Sequence, residues 1–417
     1  MAAANRDVQV LRELAKQRAE LAALPVQEQR RRLWAAHFSL KDTPVPVLAT
    51  YGMWNVWCRE IFGDGELKCT DRFYRQHERE LRMEIFHDSI GDDFILEPWV
   101  TVRAAHRVPD GDWPAPWGAR MTRTRRGADG GSYTWEPPIR DFADISKLTA
   151  PPHEIDEAAT ARRVERLADA VGDIIEVNVE RGPILTGFHA DISTTVTALR
   201  GLEQIMVDMY EDPAGLHRLL AFLRDGVLAN QRQAEDAGDF SLTSQHNQAM
   251  CYAEELQRPR ANSGPRKRGD LWGFFAAQEY TLVSPAFHEE FLLRYQVPIA
   301  EKYAMVHYGC CEDLTRKIDM LRALRNLRSI AVTPRADVAA CAEQIGRHYA
   351  LSWRPNPADM VCCTWDEGRI RRIIHEGLAA CRANGCLPHV HLKDIETVGG
   401  DTSRLARWTQ IVREETA

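Results

Sequence analysis

Between residues 8 and 37, apolar side chains recur at helical spacing: Val10, Leu11 and Leu14, then Leu21 and Leu24, then Leu33 and Trp34. Such a period marks one buried helical face, and Pro25, lacking the amide that a helix interior needs, splits the run into two predicted helices. The rhythm then changes. Residues 46–51 form a short apolar run that reads as the first buried strand, followed by Met53-Trp54-Asn55-Val56-Trp57, which suits either core or pocket wall. From 64 to 138 the pattern is mixed. It predicts a charged helix near 71–87, a strand at 98–102, a loop rich in Pro, Gly and Trp at 109–117, and a hairpin-like excursion at 130–135.

After Pro151-Pro152 the alternation becomes regular. Apolar runs at 174–179, 183–188, 240–244, 271–275, 304–308, 329–333, 349–353 and 389–392 read as buried strands. Helix-length amphipathic segments separate them at 155–170, 201–209, after Pro213, and at 285–295, 314–323, 338–345 and 366–383. Strands buried on both faces and joined by helices form parallel sheets. No glycine-rich phosphate fingerprint follows an early strand, so the pattern favours an α/β fold of the closed (β/α)8 TIM-barrel type over an open doubly wound sheet. The predicted organisation is an N-terminal helical and loop extension, 1–140, wrapping a barrel at 141–417 that the first strand, about 46–51, joins.

Composition narrows the classes. With 44% hydrophobic and 27% charged residues and a formal net charge of −7, the chain is ordinary for a globular protein and unlike a general nucleic-acid binder. The locally basic stretches 120–126 and 258–268 read as solvated loops. No signal-peptide core and no membrane-length apolar run is present, so the expected location is cytoplasmic, without nucleic acid or membrane as partner. Ten cysteines in a chain of 417 residues then read as reduced thiols, free for metal binding or catalysis.

In a barrel of this kind, chemistry sits where strands end. The polar residues there are His189 and Asp191, Gln245-His246-Asn247, Gln278 and Glu279, the 307–312 cluster, Asp337, Arg354 and Asn356, and Lys393-Asp394. The densest stretch is 305–314, Met-Val-His-Tyr-Gly-Cys-Cys-Glu-Asp-Leu. It places an imidazole, a phenol, two thiols and two carboxylates where a strand gives way to a helix. Cys310, Glu279, Gln278, Glu312, Lys393 and Asp394 are the predicted catalytic residues; His246, Asn247, His189, Tyr308 and Arg354 are the predicted substrate contacts. His307, Cys310 and Cys311 are soft ligands suited to Zn2+, with Glu312, Glu279 or His246 to complete the shell. The spacing is neither C-x2-C nor H-x3-H, and successive strand residues point to opposite faces, so one of the two cysteines is expected to face the pocket. Glu312 has a second reading as an acid at the start of a helix entered through Leu314. Lys393-Asp394 could instead close the barrel, and Cys362-Cys363, Trp272, Trp353 and Trp408 read as core or pocket wall.

Several stretches resemble the uroporphyrinogen decarboxylase-like superfamily, which also holds zinc-dependent methyltransferases serving corrinoid proteins. They are Pro183-Ile184-Leu185-Thr186-Gly187-Phe188, Asp270-Leu271-Trp272-Gly273 through Ser284-Pro285-Ala286-Phe287, and the run from His307 through Asn326-Leu327, Thr333, Asp337 and Gly346 to Pro355-Asn356-Pro357-Ala358. Residues 30–41 and the motif Tyr308-Gly309-Cys310-Cys311-Glu312 resemble an uncharacterised branch. The resemblance implies a (β/α)8 barrel. Where decarboxylases carry an arginine-rich Met-Arg-Gln-Ala-Gly loop, this chain reads Thr50-Tyr51-Gly52-Met53-Trp54, without an arginine until Arg59. A substrate with eight carboxylates needs several guanidinium partners, which argues against porphyrinogen decarboxylation. The methyltransferase pattern, a His-x-Cys pair and a later cysteine, puts Tyr308 at the histidine position and Cys310 at the cysteine. His307 is displaced by one residue, and Lys393-Asp394 stands where the last cysteine would be.

The expected function is methyl transfer to or from a corrinoid protein, a folate or a thiol at a protein- or zinc-bound thiolate. The alternatives are a cofactor-free decarboxylase or other lyase acting on a small carboxylic acid, with Gln278, Glu279 and Lys393 handling the carbanion, and a non-catalytic ligand-binding barrel. The expected partners are a small-molecule substrate, a corrinoid protein bringing any cobalamin on a separate chain, and a second copy in a homodimer.

Overall fold

The computed structural model describes residues 2–50, 60–109, 111–125, 133–362 and 364–416. The aromatic run after the first strand, Cys363 and the tip of the 130–135 excursion lie outside these residues. Among the described residues ten strands are formed: β1 (Val47–Ala49), β2 (Trp99–Arg103), β3 (Thr122–Arg125), β4 (Tyr133–Glu136), β5 (Glu176–Glu180), β6 (Trp272–Phe275), β7 (Met305–Tyr308), β8 (Leu327–Val332), β9 (Ala350–Trp353) and β10 (Leu387–Leu392). Six of them make one parallel sheet in the order β1-β10-β9-β8-β7-β6. β2 and β5 pair separately in parallel, and β3 and β4 form an antiparallel hairpin.

The fold is thus a mixed α/β structure around a curled parallel half-barrel, whereas the hydrophobic rhythm predicts a closed barrel. Among the described residues its two open edges are met by polar side chains and loop backbone rather than by neighbouring strands. At β1, Asp93 Oδ2 accepts from Val47 N and Asp92 Oδ2 from Ala49 N, both at 2.8 Å. At β6, His246 N donates to Trp272 O at 3.1 Å, and Trp272 N donates to Gln245 Oε1 at 3.4 Å. Buried edge amides need such partners wherever a ladder stops.

Two predicted strands are not strands. Residues 183–188 begin with a proline, and the Leu185 amide and carbonyl bond instead to Asn230 Oδ1 and Gln231 Nε2, both buried on helix Pro213–Ala237. In 240–244, Ser241 N bonds to Ser244 Oγ, Leu242 N to Ser263 Oγ and Leu242 O to Gln245 Nε2. Local hydroxyl and amide bonds compete with a ladder and win here.

Alternation along the strands separates two surfaces. Val306, Tyr308, Ile330, Val332, Leu351, Trp353, Val390 and Leu392 face outward into the main apolar core beneath the helices. Helix Glu367–Ala383 lies so close that a Cβ on Gly377 would fall 2.2 Å from the Trp353 ring. On the inner face, helix Pro25–Phe38 plugs one end: Trp34 and Phe38 pack with Leu48, Trp272, Met305 and Ala350. Trp34 Nε1 bonds to Asp93 O at 2.7 Å, and His37 Nε2 lies 2.9 Å from His389 Nδ1.

Several helices start at the caps their sequences supply: Asp71, Asp156, Ser284, Asp337 and Asp366 each accept a first-turn amide. The predicted helix 285–295 is interrupted by a π turn, Glu289–Leu293, before it resumes as Arg294–Ala300. The helix expected at 314–323 shrinks to Ile318–Leu321, because Asp313 captures the amide and hydroxyl of Thr315 in a local turn. Among the described residues no helix is long and apolar enough to cross a membrane.

Candidate functional site

Toward the carboxyl ends of the strands the inner face becomes polar. His307 on β7, Ser329 on β8, Ser352 on β9, His389 and His391 on β10, and Arg354 just beyond β9 are all buried. His307 donates or accepts at Nδ1 with Ser329 Oγ (3.0 Å), while its Nε2 lies 3.1 Å from Arg354 Nη2 and 3.2 Å from Gly309 O. A guanidinium only donates, so Nε2 supplies its lone pair to Arg354 and Nδ1–H donates to Ser329. Burial and the Arg354 charge hold this imidazole neutral, well below its ordinary range.

Above this layer Gly309, at φ +107°, turns the chain; a Cβ there would lie 2.9 Å from Ala331 and Leu314. The turn brings the two adjacent sulfurs together, with Cys310 Sγ 3.4 Å from Cys311 Sγ. Their surroundings differ. Cys310 is buried, with Lys393 Nζ 3.5 Å from its sulfur and its carbonyl held by Arg354. Cys311 is exposed and faces Asp394 Oδ2 at 3.7 Å. The Cys311 hydrogen bond, with the charges of Lys393 and Arg354, pulls Cys310 below its ordinary pKa against the effect of burial. The bond to Cys310, burial and the Asp394 charge push Cys311 up. Lys393 and Asp394 are themselves an ion pair at 2.7 Å, and Asp394 takes a left-handed φ of +58°, uncommon outside glycine and a mark of a constrained site.

Glu312 is wholly buried and joins two strand ends. Its Oε2 accepts from Cys310 N (2.8 Å) and its Oε1 from Ala277 N (2.7 Å), so the carboxylate ties the end of β7 to the end of β6. No helix begins at Leu314 for it to complement. Two residues past Ala277, Glu279 Oε1 meets Thr194 Oγ1 (3.3 Å) and Gln278 Nε2 (3.4 Å). Thr194 Oγ1 is also 3.3 Å from Oδ2 of Asp191. Asp191 is fully buried; burial, then Glu279 and Glu312, raise its pKa well above the carboxylate range. It precedes Ile192, a β-branched residue at φ +67°. Asp191 is marked in the sequence only by its place among the strand-end polar residues; this strained turn has no sequence signal of its own.

Tyr308, an expected substrate contact, points the other way. It is buried against the helix layer, donating to Gln296 Oε1 at 2.8 Å with His288 Nε2 at 2.9 Å. Arg354 meets protein groups rather than open space. Asn247 makes a local turn with Ala249 and Met250. His246 and His189 line a cavity of about 440 Å³ together with Arg103, His106, Glu180 and Phe188. His189 is exposed and stacks on Trp113 at 3.8 Å, while burial and Arg103 hold His246 down to about 4. A larger cavity, about 1100 Å³, lies against β2, β5 and residues 242–252; it shares Arg103 and Glu180 with the smaller one and is lined by neither Cys310 nor Lys393.

The donor set does not match the expected zinc shell. Arg354 takes the His307 lone pair, and a buried guanidinium beside that imidazole disfavours a second cation. Among the described residues no group of three or more His, Cys, Asp or Glu side chains is arranged to hold a metal ion. Sequence spacing offered the two thiols and the imidazole; it could not show that the His307 lone pair goes to Arg354.

No protein-family model matches the chain, and no curated protein matches it. Solved structures do, among them a methyltransferase from Methanosarcina mazei at 12% identity and a TM-score of 0.49, covering 93% of this chain and 98% of that one.

Proposed function

We propose that this chain is a group-transfer enzyme whose working atom is the Cys310 sulfur, held as a thiolate by Lys393, and that the group it takes is a methyl. The contact that carries the reading is Lys393 Nζ to Cys310 Sγ at 3.5 Å, beside a neighbouring thiol at 3.4 Å. A thiolate, unlike a thiol, attacks soft saturated carbon. In the step proposed, the Cys310 lone pair forms a bond to the methyl carbon, the bond from methyl to its donor breaks, and the electron pair stays on the donor. Lys393 then loses its anion and keeps Asp394 as partner. A corrinoid protein, a folate or a small sulfonium compound are donors of the right chemistry, and a thiol is the matching acceptor. In this reading the thiolate is activated by cations, and zinc is an outcome the test can return.

The test is incubation of the purified protein with methylcobalamin, followed by mass measurement of the tryptic peptide 303–316, together with elemental analysis. One added methyl on Cys310, lost in Cys310→Ser, in a protein without stoichiometric zinc is the expected result. One equivalent of zinc that disappears in Cys310→Ser would replace cation activation by metal activation. An unmethylated peptide, with Cys310 alkylating no faster than Cys381, would remove the thiolate reading altogether.

One observation favours the lyase as second reading. Asp191, which Thr194 Oγ1 links to Glu279, is fully buried with its pKa raised well above the carboxylate range, and a neutral carboxylic acid is a proton donor for a carbanion. Decarboxylation of small acids that is lost in Glu279→Gln and kept in Cys310→Ser would select it.

A further inference from the structure

The two sulfurs at the mouth carry a second consequence, independent of what the site transfers. We propose that Cys310 and Cys311 are a reversible oxidation switch: on meeting a small-molecule disulfide they close a vicinal disulfide that takes the Cys310 sulfur out of use. Four other cysteines rest their sulfur against an oxygen: Cys69 on Asp7 O, Cys341 on Thr315 Oγ1, Cys362 on Thr397 O and Cys386 on Ala342 O. Only in the 310–311 pair, among the described residues, does one sulfur contact another.

Adjacent residues of an extended strand hold their side chains on opposite faces, so this contact exists because Gly309 breaks the strand immediately before it. The two neighbours then divide the labour. Lys393 stabilises an attacking thiolate on Cys310, and Asp394, 3.7 Å from Cys311 Sγ, is placed to take the Cys311 proton. Cys311 is the exposed member and sits where an incoming disulfide arrives.

The exchange balances without a further reagent. Cys310 thiolate attacks one sulfur of RSSR, the S–S bond breaks, and RS⁻ leaves. Cys311 gives its proton to Asp394 and attacks Cys310 Sγ, the mixed disulfide breaks, and a second RS⁻ leaves. One protein thiolate and one thiol are oxidised to a disulfide and RSSR is reduced to RS⁻ and RSH; the Cys311 proton passes by way of Asp394 to one departing thiolate, and the other takes its proton from water. A strained eight-membered ring is readily reopened by an external thiol.

The experiment treats the whole protein with 2-hydroxyethyl disulfide, then digests it without reductant. The peptide 303–316 contains Cys310 and Cys311 and no other cysteine. The expected wild-type product has lost two hydrogens and carries no adduct, and dithiothreitol restores it. In Cys311→Ser, an exposed and nearly isosteric change, the peptide keeps a hydroxyethylthio group on Cys310. A stable adduct on wild-type Cys310, a link from this peptide to another cysteine peptide, or an unreacted pair in excess disulfide each overturns the proposal. The readout is mass rather than turnover, so a protein that transfers no methyl group would leave this result standing, and the reverse also holds.

Discussion

The sheet formed by β1 and β6 to β10 and the segments that flank its edges, 92–104, 175–190 and 240–247, are held by different kinds of bond. In the sheet, backbone amides pair strand to strand, and each strand is buried on both faces. In the flanks β2 and β5 keep a ladder of their own, but where these segments meet the sheet's edges side chains take over. Asp92 and Asp93 serve the β1 edge, and Glu180 gathers Thr243, Ser244 and Gly182 N at 2.6, 2.6 and 2.8 Å. A ladder depends on chain direction alone, whereas the flanks depend on particular oxygens. The flanks are therefore open to point substitution and the sheet is not, except through its packing and through the neutral imidazoles on its inner face.

That contrast can be broken at several strengths. The largest effect expected is with pH. His37, held down to about 3, and His307, His389 and His391, each well below its ordinary value through burial, are neutral in the folded sheet. The unfolded chain binds protons on them below about pH 6.5, so stability is complete above that pH and is lost as pH falls toward the folded values. The unfolding free energy from urea titration should drop by about 2 kcal/mol per histidine between pH 6.5 and 5. A flat profile would mean that these rings protonate in place. Next, Trp272→Ala empties a site in the apolar floor with no solvent exposure and should cost about 3–5 kcal/mol in urea unfolding. Glu180→Gln leaves one good acceptor for three donors and should cost about 1–3 kcal/mol, while leaving the alkylation rate of Cys310 unchanged. Smallest is an exchange difference: the amides of Ile330, Leu351 and Val390 should exchange only on global unfolding, and those of Leu242 and Ser244 through local opening. Equal protection in both would erase the distinction between sheet and flank.

The same contrast explains what the sequence disclosed. β1 and β6 to β10 are apolar along the face that meets the helices, and that is what makes each readable from the sequence. The runs at 183–188 and 240–244 carry strand-like apolar residues too, yet their backbone partners are Asn230, Gln231, Ser244, Ser263 and Gln245, and hydropathy carries no trace of that. At the site, Cys310, Glu312 and Lys393 could be singled out by residue type and position at strand ends. Strand alternation alone would have turned Tyr308 away from His307, onto the helix side. Ser329 and Ser352, ordinary residues in buried strands, gave no signal of the polar inner face they help to build, and the strained Ile192 gave none of the turn after Asp191.

The helix that plugs the sheet has a consequence for synthesis on the ribosome. His37 rests on His389, 352 residues later in the chain. At roughly 5–20 residues per second, the first helices leave the exit tunnel some tens of seconds before the strand that seats them exists. Through that interval Trp34 and Phe38, wholly covered in the finished protein, have no native partner on β10. A nascent chain halted before residue 389 would therefore present that apolar stripe to chaperones, and release of the stripe would coincide with the arrival of the final strand.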